Sequence, residues 1–320
     1  MTRDIETHRV IFDAMACRCE ILVAGEHGNV QYATREAVSE VRRIEAKYSR
    51  YRADSVVSQI NAAAGRREAV AVDDETAGLL NFAARIYIQS DGLFDVTSGV
   101  LRRAWDFRAA RIPSQEELHV LLALVGWNDV AWDGRSVLLT RHGMEVDFGG
   151  FGKEYAADRT HAVLARHGIR HGFINLGGDI RALGPRPDGE AWTFAIQHPR
   201  QRDGVCAQVR LAEGALATSG DYERFFITPE GRRCCHILDP RSGQPVAHWQ
   251  SVSVVAPVCV GAGALSTMAM LMGARASAFL RDQGVAFLLV DEKGDIYAHD
   301  IDSAPATSRS ATSYLVHDHA

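Results

Sequence analysis

The sequence predicts an α+β fold. Three observations carry that prediction. Apolar residues recur at steps of three and four in several segments of the first half, the period of an amphipathic helix. From about residue 136 onward, short runs rich in β-type residues alternate with Gly, Pro and Asp turns. The two kinds of segment are mixed without regular βαβ alternation, which argues against a parallel α/β sheet.

Taken in order, CRCEILV near the N-terminus alternates like a strand. Residues 30–51 place Ala37, Val41, Ile44, Tyr48 and Tyr51 on one helical face. Asp74 is expected to cap a second helix that runs to about Ser90. PSQEELHVLLALVG reads as a third helix, with Ser114 and Glu117 spaced as a capping box and Gly126 as its stop. SVLLT, GMEVDF, GFINL, WTFAIQ, ERFFIT, SVSVVAP and AFLLV are the expected strands. Helices are expected at about 152–167 and 261–282. With no repeat, low-complexity tract or Pro/Ser linker, one domain is expected over 1–306. A loosely held tail is expected over 307–320.

Composition narrows the function. Of 320 residues, 47% are hydrophobic and 23% charged, the balance of a soluble globular chain. A net charge of −5 with no basic stripe argues against nucleic acid. No run reads as the roughly 18 or more apolar residues of a membrane helix, so no membrane insertion is expected. The N-terminus lacks the apolar core of a signal peptide, so the expected location is cytoplasmic. Six cysteines without a CxxC pair suggest reduced thiols rather than a disulfide scaffold or structural zinc.

Several stretches carry polar residues among glycines. SDGLFDVTSG reads on its own as a turn and helix cap. VDFGGFGKEYAADR passes from a strand through glycines into a helix. Such a helix start either holds phosphate on backbone N–H groups, helped by Lys153, or is an ordinary turn. It is not a Walker A loop, because Glu154 stands where Ser or Thr would follow the lysine. The paired glycines of NLGGDIRALG mark a bulge, a tight turn or a close backbone approach. ALATSGDYERFF and CCHILDPRSGQPV add Thr218, Ser219 and His236. A lone strand histidine is more often structural than catalytic.

Together these stretches resemble the FAD:protein FMN transferase family, also called the ApbE family. The resemblance runs in order through MACRCEI, YSRYRADSVVSQIN, DGLFDVTSG, VDFGGFGK, INLGGDIRALG, ATSGDYERFF, HILDPRSGQPV and ALST, over about residues 10–290. It implies an α+β architecture of two related T-fold-type halves. It also implies a Mg2+-dependent transfer of FMN from FAD to a Thr or Ser hydroxyl of a target flavoprotein, with release of AMP. By resemblance, Met15, Tyr51, Leu93, Phe94, Asp95, Asp147, Lys153 and Ile237 fall where the family holds FAD. Thr218 and Ser219 are expected to line the same cleft, and His236 is the candidate general base.

For the metal, the resemblance implies the Gly150 carbonyl, Thr267 and an aspartate. The family's ADALST reads AGALST here, so the aspartate position is Gly263. The family's AKGY reads GKEY, which introduces Glu154 near the same helix start. Glu154 is either a replacement carboxylate for the metal or a solvated helix residue. Restoring the carboxylate by Gly263→Asp is expected to raise Mg2+ affinity and transfer rate. Two other functions compete: an FAD-binding protein with weakened or lost transfer, and a metal-dependent FAD pyrophosphatase.

Overall fold

The computed structural model of the chain describes residues 5–201 and 203–301; the expected tail over 307–320 lies outside them. The chain opens with a hairpin of β1 (Ile5–Ala14) and β2 (Cys17–Glu26). Side chains of β2 alternate as a pleated strand requires: Ile21 and Val23 enter one core and Leu22 another. Helix α1 (His27–Tyr48) buries Val30, Ala33, Ala37, Val41, Ile44 and Tyr48 at helical spacing.

The short helix α2 (Val56–Ala62) is capped by Ser55, whose hydroxyl accepts from the Ser58 amide. Next come β3 (Val70–Ala71), α3 (Asp74–Gln89), a 3-10 helix Val96–Arg103, α4 (Gln115–Leu122), β4 (Val130–Trp132) and β5 (Ser136–Leu139). Strands β3, β5 and β4 form a small sheet of their own. Helix α5 (Gly152–Arg166) leads into β6 (His171–Leu176) and β7 (Asp179–Gly184). A hairpin of β8 (Trp192–Gln197) and β9 (Val205–Leu211) precedes β10 (Gly214–Gly220). The small hairpin β11 (Phe225–Ile227) and β12 (Arg233–Cys235) precedes β13 (Trp249–Ala256). The described chain ends with α6 (Cys259–Met272), α7 (Ala276–Asp282), β14 (Ala286–Asp291) and β15 (Ile296–His299).

Eight of these strands form one antiparallel sheet, in the order β1-β2-β6-β7-β10-β13-β14-β15. Its two halves repeat one plan. Two strands, two helices and two strands (β1, β2, α1, α5, β6, β7) are followed by the same order (β10, β13, α6, α7, β14, β15). The halves join where β7 pairs β10, Ala215 opposite Arg181. The α+β expectation is met.

One face of the sheet is covered by helices. Ile174 and Leu176 pack beneath α1 and α5, while Val252, Val254, Phe287 and Leu289 pack with Met270 and Leu280 of α6 and α7. On the other face lies the β8/β9 hairpin, whose Trp192 and Phe194 meet Phe173 edge to face at centroid distances of 5.2 Å each.

Several boundaries differ from the sequence expectation. The cap of α3 is Asp73, whose carboxylate accepts from the Thr76 amide at 2.9 Å; Asp74 is the first helical residue. Helix α4 has the expected capping box but ends at Leu122, before Gly126. GMEVDF forms no strand. The Val146 amide donates to Asn61 Oδ1 at 2.7 Å and the Asp147 amide to the Val96 carbonyl at 2.9 Å. Its backbone is thus satisfied by side-chain and loop partners rather than a ladder. Helical residues 259–282 are long and apolar enough to cross a membrane by length and composition, contrary to expectation. They break at a 3-10 turn, Gly273–Arg275, and half of the apolar window is buried against the protein.

The second core makes a direct prediction. Phe173 is 1% exposed, so Phe173→Ala is expected to cost about 3–5 kcal/mol. Chemical denaturation measures this as a lower midpoint. A loss under about 1 kcal/mol would mean that the β8/β9 hairpin is not held by this ring cluster.

Candidate functional site

Two hairpin turns lie side by side at one end of the sheet, because β2 pairs β6 with Cys19 opposite Leu176. The first turn is Met15-Ala16, both left-handed at φ 54° and 59°. That conformation is costly for residues with a Cβ and is held by its surroundings. The Met15 amide donates to Glu45 Oε1 at 2.5 Å. The second turn is Gly177-Gly178, at φ 64° and 96°. A Cβ on Gly177 would lie 2.8 Å from Cys17 Sγ, so the turns touch only because position 177 lacks one.

Lys153, in the first turn of α5, reaches this corner. Its Nζ donates to Asp179 Oδ2 at 2.6 Å, and Asp179 is 2% exposed. Burial alone would push the Lys153 pKa down; Asp179 and Glu154 outweigh it and hold the ammonium protonated. A fixed cation beside the N-terminus of a 15-residue helix is an anion-binding arrangement. Cys17 is drawn into the same field: its hydrogen bond with Cys19 lowers its pKa against the opposing effect of burial, and Lys153 lowers it further.

Glu154 points the other way from Lys153, into the α5–α6 interface. It is 7% exposed, and its Oε2 has no hydrogen-bond partner among the described residues. Burial pushes its pKa up, to about 8, and the negative charge of Asp179 adds to the shift. Glu154 is therefore not a solvated helix residue. It lies against Gly263 of α6, where a Cβ would stand 2.5 Å from its Cγ and Oε1. A side chain at 263, as in Gly263→Asp, therefore requires the Glu154 side chain to move out of the volume it fills. One turn further along α6, the Thr267 hydroxyl lies 3.0 Å from Ser219 Oγ, which is also 2.8 Å from Ser266 Oγ.

Thr218 and Ser219 do not line one cleft. Adjacent residues of a strand face opposite sides. Ser219 faces α6, whereas Thr218 Oγ1 pairs with Ser253 Oγ at 2.8 Å on the other face.

The loop before α5 gathers the remaining residues. Asp147 is ion-paired with Arg50 and accepts the Gly149 amide at 2.9 Å. Arg50 Nη2 also donates to the Tyr51 hydroxyl at 2.8 Å, and Tyr51 is 78% exposed. Phe94 stands directly on Gly150: a Cβ there would lie 2.7 Å from its Cζ. Leu93, Phe94 and Asp95 are all buried. Asp95 Oδ1 accepts from the Thr97 amide and hydroxyl at 2.8 and 2.7 Å, and Oδ2 from the Trp127 amide at 3.0 Å. The Asp95 carboxylate therefore caps the 3-10 helix and ties down the Trp127 turn, as the turn-and-cap reading of SDGLFDVTSG expects.

His236 follows β12, its amide donating to the Arg224 carbonyl at 3.0 Å. Its Nδ1 is buried without a partner among the described residues. Burial, then the charge of Arg224, lowers its pKa to about 4, and Lys153 adds to the effect. The imidazole is neutral at pH 7. Ile237 carries the strand onward and packs against the α6 core. Cys234 and Cys235 are both 0% exposed, and Cys235 Sγ contacts the Ile237 and Val246 carbonyls. They pack rather than present a reactive thiol. Among the described residues all six cysteines are free. Two surface depressions, one at Arg103, Arg111 and Leu121 and one at Asp91, Met272 and Phe279, involve none of these residues.

Comparison with known proteins agrees with this architecture. The model of the ApbE family matches residues 15–306. The chain belongs to the ApbE family. The FAD:protein FMN transferase of Escherichia coli (strain K12) is 29% identical over 237 residues, covering 71% of this chain and 67% of its own length. That of Vibrio cholerae is 29% identical over 262 residues, covering 77% and 78%. The crystal structure of the ApbE protein from Thermotoga maritima superposes with a TM-score of 0.85 at 32% identity, covering 92% of this chain and 97% of that one. The flavin transferase ApbE from Vibrio cholerae does so at 0.83 and 27%, covering 93% and 98%.

Within this ApbE-family chain, sequence reasoning missed two partners. Asp179, which fixes Lys153, lay in plain sight directly after the paired glycines of NLGGDIRALG. Arg50, which engages Asp147, is far away in sequence and carried no signal. Among the described residues no group of three or more His, Cys, Asp and Glu is placed to hold a metal ion. An ion held mainly by carbonyl and hydroxyl oxygens with one carboxylate would form no such group.

Two predictions follow from the charges. Removing the Lys153 cation leaves Asp179 buried and unpaired. Lys153→Met is therefore expected to cost about 3 kcal/mol, and the added change Asp179→Leu to recover most of it; thermal or urea denaturation reads both. For His236, the folded pKa of about 4 lies below the ordinary 6.5. The unfolded chain then takes up the proton first, so His236 makes stability fall as pH drops from about 6.5 to about 4, levelling off below. The loss should be about 3 kcal/mol relative to His236→Asn, which should lack this slope in pH-dependent denaturation.

Proposed function

We propose that the chain is an FAD:protein FMN transferase. It moves FMN from FAD to a Thr or Ser hydroxyl of a target flavoprotein and releases AMP. The observation that carries this reading is the convergence of one fixed cation, one helix N-terminus and one neutral imidazole. Lys153, held by Asp179, and the start of α5 suit a pyrophosphate. His236, neutral at pH 7 and within the field of Lys153, suits the acceptor hydroxyl.

In the proposed reaction the hydroxyl oxygen attacks the phosphorus that carries riboflavin. A new P–O bond forms to the acceptor, and the bond from that phosphorus to the bridging oxygen breaks. AMP departs with the bridging oxygen, and the acceptor proton passes to His236. The low pKa of His236 in the free protein suits this role once FAD binds, because an anion placed beside the imidazole raises its pKa toward the working range. Lys153 offsets charge on the pyrophosphate, and Met15, on its strained turn, borders the same corner.

Mg2+ is the expected metal. The residues that would hold it offer oxygen only: the Gly150 carbonyl, the Thr267 hydroxyl and the Glu154 carboxyl, whose Oε2 has no partner among the described residues. These are the donors a hard cation prefers. When bound, the ion would supply charge neutralisation at the pyrophosphate. Gly263 favours a second reading, an FAD-binding protein that has lost transfer, because α6 offers no carboxylate of its own.

The two readings separate in one assay. Purified protein, FAD and an acceptor flavoprotein are followed for AMP and for flavin that stays on the acceptor after denaturation. Transfer predicts both products, with Mg2+ required. His236→Ala should lower the rate by roughly 10²–10⁴-fold while FAD still binds. FAD binding without AMP under any condition would leave the binding protein as the function, and AMP without covalent flavin would indicate a pyrophosphatase.

A further inference from the structure

Three carboxylates line the α5–α6 junction, and two are committed elsewhere. Asp179 is spent on Lys153 at 2.6 Å. Asp158 accepts the Cys259 and Val260 amides at 2.9 and 2.8 Å, capping α6, and pairs with Arg181 at 3.2 Å. Glu154 has no ion pair among those found in the described residues, and its Oε2 is buried without a partner. A buried carboxyl left this way is costly unless something else satisfies it.

Its position identifies what that could be. The Glu154 carboxyl fills the volume a side chain at 263 would need: a Cβ there would lie 2.5 Å from Oε1 and 2.7 Å from Cδ. Position 263 lies one helical turn from Thr267, whose hydroxyl belongs to the cluster with Ser219 and Ser266. A carboxylate reaching this point from α5 therefore arrives where one borne by residue 263 of α6 would be.

We propose that Glu154 and Gly263 form an exchanged pair: the carboxylate ligand for a divalent cation is delivered from α5 at position 154, across a glycine that leaves room for it on α6, beside the Thr267 hydroxyl. The two positions are coupled sterically: a bulkier residue at 263 displaces the Glu154 carboxyl from this volume, and a glycine at 263 without Glu154 leaves a void and no carboxylate. The proposal rests on the transferase reading for its cation, but its test does not depend on turnover.

The test titrates Mn2+ into the full-length protein in the presence of FAD, reading free ion by electron paramagnetic resonance, with Mg2+ as competitor. Glu154→Gln keeps the shape of the side chain and removes its charge; it is expected to weaken Mn2+ binding by at least about tenfold. Gly263→Asp alone is expected to lower the melting temperature and not to tighten binding. The double variant Glu154→Gly/Gly263→Asp is expected to bind Mn2+ within a few-fold of the wild type. Unchanged binding in a folded Glu154→Gln variant would overturn the proposal. So would a wild-type protein that binds no Mn2+, or tighter binding by Gly263→Asp alone. Tight Mn2+ binding without AMP release would instead remove the transferase reading and leave the ligand assignment standing.

Discussion

The seam between β7 and β10 is the constraint on which the rest of the molecule depends. It fuses two four-stranded halves into one sheet and leaves apolar side chains on both faces. A sheet apolar on both sides must be covered on both. Helices α1, α5, α6 and α7 cover one side, and the β8/β9 hairpin covers the other. The seam also sets α5 of the first half against α6 of the second, so the junction that holds Glu154, Gly263 and Thr267 exists only because the halves are joined.

Around the site, side chains packed directly on glycine backbone do the positioning. The two hairpin turns touch because Gly177 leaves room for Cys17. The loop before α5 lies flat because Gly150 leaves room for Phe94, and α6 approaches α5 because Gly263 leaves room for Glu154. Each glycine is a place where one element passes within a few ångströms of another. These contacts aim Lys153 at Asp179 and Glu154 at α6 although the two residues are neighbours in sequence, since successive positions on a helix point about 100° apart.

The charges divide by burial. Lys153 keeps its proton because Asp179 and Glu154 outweigh its burial; Glu154 and His236 are pushed toward their neutral forms by burial, with the like charge of Asp179 and the charge of Arg224 adding to it. A paired cation, a neutral imidazole and, on the α5–α6 side, an unpartnered carboxyl are thus set by burial and by their charged neighbours.

Periodicity and turn chemistry alone determined the class and most elements: α1 from its spaced alanine, valine and isoleucine, the capping box of α4, and the strands GFINL, WTFAIQ and AFLLV. The ordered motifs determined the family. Local pattern could not show that GMEVDF is held by Asn61 and Val96 rather than by a neighbouring strand, because those partners are distant in sequence. Nor could it place Arg50 on Asp147, or turn Thr218 and Ser219 to opposite faces of a sheet whose register was not yet known. For Glu154, sequence left two roles open, a metal carboxylate or a solvated helix residue. Only the packing of α5 against α6 removed the second, since burial is a property of the neighbouring element and not of the residue itself.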